Sequence, residues 1–181
     1  MSAAPANPQY PVDSYAEARR AAFNWRGECI GYFTTVEQRV SALLVRAQDV
    51  SPYAEVKPPF PHLVGQRFER LRKLLELDGP MRSHAEQAVR ALDEFAMHDE
   101  LRTFLCHGEL EVAITKDETV VFLFRVLNFR KQSAVETKMW ANQSDVNKQR
   151  RKLSAATEAL VDTLASLEKC FLNIATVSRA K

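Results

Sequence analysis

Cysteine is scarce in this chain, and the three present, Cys29, Cys106 and Cys170, stand far apart. An odd number without C-x-x-C spacing argues against a disulfide framework or a zinc knuckle. The four histidines, His62, His84, His98 and His107, show no H-E-x-x-H or similar ligand spacing. No structural metal and no cofactor are expected. No uninterrupted apolar run approaches the roughly 18 residues of a membrane span, so no membrane partner is expected either. Met1 to Pro11 has neither a basic n-region nor an apolar h-region and does not read as a signal peptide. A reducing cytoplasm is the expected location. An excess of charge is lacking too. With 25 Lys and Arg against 23 Asp and Glu, the formal net charge is +2. A chain so nearly balanced is not a general polyanion binder, so any contact with nucleic acid must rest on a local patch. Internal repeats and low-complexity tracts are absent.

What is present suffices for one buried core: 181 residues, 46% hydrophobic and 27% charged. Residues 1–12 carry Pro5, Pro8 and Pro11 and few apolar anchors, and read as a flexible arm. Residues 13–181 read as a single domain. Asp13 or Ser14 can cap a helix starting at Tyr15, with Gly27 and Gly31 leaving its far end open. Ile30, Phe33, Val36, Val40, Leu43, Ala47 and Val50 then recur at helical spacing up to Ser51-Pro52. After the proline-rich Lys57 to Pro61, a second helix is predicted from about Leu63 to Leu77, lined by Val64, Phe68, Leu71 and Leu75. A third starts near Arg82 or Ser83, with Ala85, Ala88, Val89, Leu92, Phe95 and Ala96 on one stripe. Beyond His98 the apolar residues Leu101, Phe104 and Leu105 point to another side. Either the helix breaks near His98-Asp99, or one straight helix is buried on both sides by its own fold and a second subunit.

Gly108 suits the left-handed position just past a helix end. Val112, Ile114 and Val120 to Val126 predict two strands of a hairpin turning at Lys116-Asp117-Glu118. A last helix is predicted from Ser144 or Asp145 to about Ile174, with a seam of Leu153, Leu160, Leu164, Leu167, Phe171 and Ile174. The expected architecture is all-α: an up-down bundle of four to five helices with a small β-hairpin insert.

The richest chemistry lies in Arg102-Thr103-Phe104-Leu105-Cys106-His107-Gly108. Arginine is permanently charged and can grip a phosphate through two parallel hydrogen bonds. Histidine trades protons near neutral pH and serves as general acid or base. RNA carries its own nucleophile, the 2′-hydroxyl, so these two groups can cut it and leave a 2′,3′-cyclic phosphate. Five residues along an ideal helix turn about 500°, so the two side chains leave the axis roughly 140° apart. They converge if His107 sits at a redirected helix end, or if two copies of the segment meet across a two-fold axis.

This R-x-x-x-x-H-G pattern, preceded by helices and followed by a hairpin and a long helix, resembles the HEPN superfamily (higher eukaryote and prokaryote nucleotide-binding domains). The stretch Gly31 to Glu37 also looks like the family's first long helix. The resemblance implies a dimeric, metal-independent endoribonuclease of a toxin–antitoxin, phage-defence or RNA-processing system. Arg102 and His107 would be its catalytic residues. Thr103, where active members often carry an amide or an acid, would support them with a hydrogen bond, and Glu109 would orient His107. Implied partners are RNA, a second copy, and a cognate antitoxin or nucleotidyltransferase. The resemblance also admits a second function, a catalytically inactive helical dimer that binds proteins or nucleotides.

Plainer readings stand beside these. Arg102 can pair with Asp99 or share a face with His98, as many surface residues do. Lys148, Arg150, Arg151 and Lys152 form the densest basic run, which is an RNA-backbone contact or a solvated helical face; Arg125, Arg130 and Lys131 can extend it. Cys106 reads as a buried cysteine rather than a nucleophile. Glu94 and His98 have the spacing of a metal pair but lack further ligands. Trp25, Trp140 and the ten phenylalanines read as core or interface.

Overall fold

The computed structural model describes residues 12–55, 60–130 and 133–178. The expected 1–12 arm lies outside them except for Val12, which opens the first helix. In order, the elements are α1 (Val12–Ala47), a 3-10 turn (Tyr53–Glu55), α2 (Val64–Glu76), a second 3-10 turn (Arg82–His84), α3 (Ala85–Ala96), α4 (Asp99–His107), β1 (Glu109–Ile114), β2 (Val120–Arg130), β3 (Ser133–Asn142) and α5 (Gln143–Ser178). The chain forms two compact units: 12–30 with 103–150, and 31–102 with 151–178. α1, α4 and α5 contribute to both.

The first unit is built on an antiparallel sheet of order β1-β2-β3. β1 pairs with β2 from Glu109↔Arg125 to Ile114↔Val120, and β2 pairs with β3 from Val121↔Asn142 to Arg130↔Ser133. One sheet face presents Phe122, Phe124 and Val126, all buried. Ala18, Ala22, Trp25 and Cys29, at helical spacing along α1, are buried too. The Trp25 ring lies 6.2 Å from Phe122 and 5.7 Å from Phe124. Burial among these groups raises the Cys29 thiol to about 12, with Glu28 adding to the shift and Arg150 opposing it. At the β1–β2 turn, Asp117 accepts hydrogen bonds from the hydroxyls of Thr115 and Thr119, and Glu118 takes a positive φ of 63°.

The second unit is helical. Phe33, Val36, Val40, Leu43 and Leu44 of α1 are buried, as are Leu71, Leu74 and Leu75 of α2, Leu92 and Phe95 of α3, and Leu153, Leu160, Leu164 and Leu167 of α5. Phe95 lies between Phe33 and Phe68, with ring centroids 5.6 and 6.1 Å away. Tyr53 packs edge-on against Phe171 at 5.9 Å, and its hydroxyl accepts the Met81 N–H at 2.8 Å.

The architecture is mixed α/β, which overturns the expected all-α bundle with a hairpin insert. The difference is β3. Six of its first six positions are exposed, and only Ala141 in it is buried. An edge strand that covers little of the core carries little hydrophobic patterning, and hydrophobic patterning is what marks a strand in sequence. Two further differences have physical causes. α1 runs unbroken through Gly27 and Gly31, because both point outward, where a side chain would meet nothing, and the buried stripe holds the helix. The helix break at His98-Asp99, one of two open alternatives, does occur. The Met97 and His98 amides fold back onto Asp93 and Phe95, and the Arg102 amide then bonds the His98 carbonyl to start α4.

Candidate functional site

In the first unit, Phe104 and Leu105 are buried and fix the end of α4, while His107, its last residue, is exposed. Thr103 and Cys106 on the same helix are half-buried. The Gly108 amide donates to the Phe104 carbonyl at 2.8 Å, a last helical bond. Glycine is needed here for space and not for handedness. No glycine of the described chain has positive φ, but a Cβ on Gly108 would lie 2.3 Å from the Phe104 oxygen. The left-handed bend expected at Gly108 is therefore replaced by a close approach of backbone to backbone. Glu109 opens β1 and is exposed. Among the described residues no hydrogen bond joins it to His107.

In the second unit, Arg102 is half-buried on α4, and its Nε donates to Glu37 Oε1 at 2.8 Å. Their side chains are 30% and 19% exposed, which makes the pair drier than a surface ion pair. Arg102 has five N–H donors, so one bond to Glu37 engages only part of the guanidinium. Asp99, one turn earlier, senses the same charges. Burial raises its carboxyl, Arg102 opposes that shift and Glu37 adds to it. His98 is held below its usual value by burial and by Lys152, against a smaller pull from Asp99. Glu37, His98, Asp99, Arg102 and Lys152 thus form one coupled set of charges. Sequence reading assigned Arg102 to phosphate or to Asp99 and missed Glu37. The available signal was an acid beside the apolar stripe of α1, and a one-dimensional pattern does not say which helix faces it.

The basic run divides. Arg150 donates to Glu28 at 3.2 Å, while Lys148, Arg151 and Lys152 are exposed on α5. Arg125 pairs with Glu111 across the β1–β2 ladder. Lys131 and the Arg130 side chain lie outside the described residues. Trp25 is core, but Trp140 is 61% exposed on β3. Among the described residues no three His, Cys, Asp or Glu side chains group to hold a metal ion, and no helix is long and apolar enough to cross a membrane. No family model, no curated protein and no solved structure matches this chain.

Proposed function

We propose that this protein is an endoribonuclease of the HEPN type, cutting RNA through the 2′-hydroxyl without a metal. His107 moves protons to and from the reacting oxygens, and Arg102 stabilises the charge that builds on the phosphate. The supporting observation is the placement of His107, held exposed at the end of α4 by the buried Phe104 and Leu105, five residues after Arg102. α4 stays helical through His107, so its ideal geometry sends the two side chains roughly 140° apart. A site that uses both draws them from two copies of the chain. RNA is the substrate, a second copy is the obligatory partner, and a cognate antitoxin or nucleotidyltransferase is the natural regulator of such an activity.

The test is mixed RNA incubated with purified protein in a chelator, beside His107→Ala and Arg102→Ala. The proposal expects cleavage with 2′,3′-cyclic phosphate ends in wild type only. Cleavage that survives both substitutions removes this site from consideration. A second reading, a catalytically silent interaction module, draws on the Glu37–Arg102 bond, since an arginine with a carboxylate partner is a sufficient structural element by itself. Wild type that folds, self-associates and leaves RNA intact favours this second reading.

A further inference from the structure

β3 ends the sheet. It pairs with β2 along one edge, and among the described residues no strand lies against the other. Its first six residues are exposed, and Val135 and Trp140 leave 47% and 61% of their surface to solvent. An open edge is a template for another strand, and proteins usually guard it with charge. Here the guard carries both signs. Glu136 and Lys138 lie two apart on one face, and their side chains pair at 2.9 Å.

We propose that this edge binds a second copy of the same chain. The two β3 strands run antiparallel about a two-fold axis normal to the sheet through Thr137. Such an axis keeps each face with itself, so it must pass through a residue position. Centred on Glu136, the pairing sets two carboxylates against each other; centred on Lys138, two ammonium groups. Centred on Thr137, Glu136 of each copy opposes Lys138 of the other, Val135 opposes Met139, and the exposed Trp140 ring meets the small Ala134. Unlike charges directly opposite stabilise a strand pair and like charges destabilise it. The charges that would turn away a different strand therefore accept this one.

This inference goes beyond the nuclease reading and uses none of its residues. In the joined sheet the two β1 strands stand five strand spacings apart, about 24 Å, so this contact does not bring the two His107 side chains together. It adds a second interface to the one that a two-chain nuclease site needs.

Disulfide trapping tests it in the full chain. Directly opposed residues have Cα atoms about 4.5–5.5 Å apart, within disulfide reach. Thr137→Cys is expected to form a cross-linked dimer on mild oxidation, above the wild-type background. Glu136→Cys, whose two copies would be more than about 7 Å apart, is expected not to. In the Thr137→Cys chain, adding Glu136→Lys or Lys138→Glu should each slow cross-linking about tenfold, because both opposed pairs become like-charged. An equimolar mixture of these two variants should recover about half the parent rate, since half of random encounters join unlike chains. Neither mixed chain regains its internal pair, so only charges facing across the copies can restore it. No cross-link from Thr137→Cys, equal cross-linking from Glu136→Cys, or a mixture as slow as its components would each overturn the proposal. RNA cleavage unaltered by these substitutions would show that the two contacts are separate, and a wild type that leaves RNA intact while Thr137→Cys still cross-links would count against the nuclease reading alone.

Discussion

Replacing Gly108 by alanine tests the helix end that presents His107. The new Cβ would lie 2.3 Å from the Phe104 carbonyl oxygen and 3.4 Å from the Phe124 Cβ. Neither can yield easily, since one is helix backbone and the other belongs to a fully buried strand residue. The least costly response is for residue 108 to swing away, which gives up the 2.8 Å bond from its amide to that same oxygen. Gly108 is buried, so an amide and a carbonyl lose their partners out of water, at about 1–3 kcal/mol. For a chain of this size that lowers the melting temperature by roughly 2–12 °C. The assay is urea unfolding followed by circular dichroism, with the midpoint falling and the slope unchanged. Asparagine separates the causes. In a left-handed position asparagine is tolerated better than alanine, whereas at negative φ both carry the same offending Cβ. Gly108→Asn should therefore be no more stable than Gly108→Ala. A clearly more stable asparagine variant would refute the close-approach argument and restore the left-handed bend.

Tyr53→Phe keeps the ring against Phe171 but strips the acceptor from the buried Met81 amide, and should cost about 1–3 kcal/mol. An unchanged urea midpoint would contradict the bond. His98 gives a pH dependence of defined sign. Its folded value is lowered below 6.5, so under acid the unfolded chain takes the proton first. Its contribution is constant above the unfolded value and falls as pH drops from 6.5 through the depressed folded value. His98→Gln should flatten that part of the midpoint-against-pH curve, and an identical slope in wild type and variant would count against burial of the imidazole.

Much of the helical unit was legible because burial there is one-sided. α2 and the seam of α5 follow from residues such as Leu71, Leu75, Leu160 and Leu164, whose spacing places them all on the covered side. The hairpin of β1 and β2 was legible from the apolar run that supplies Phe122 and Phe124. β3 was not, because its contribution is backbone pairing with little burial, and exposed alternation in Val135-Glu136-Thr137-Lys138 looks like loop. Gly27 and Gly31 misled in the other direction. Each weakens a helix by about 1 kcal/mol, a local preference that packing of Trp25, Cys29 and Phe33 overrides. At the candidate site the residue types on α4 were readable, but the Glu37 partner of Arg102 was not. It stands 65 positions away in sequence and meets Arg102 only through tertiary packing.

The central claim is that His107 of one chain works with Arg102 of another. Mixing His107→Ala with Arg102→Ala and measuring RNA cleavage tests it most directly. Each variant alone should be inactive. Half of randomly mixed dimers contain both chains, and each of these holds one intact site of two, so the mixture should recover about a quarter of wild-type activity. A mixture as inactive as its components, beside an active wild type, would contradict it.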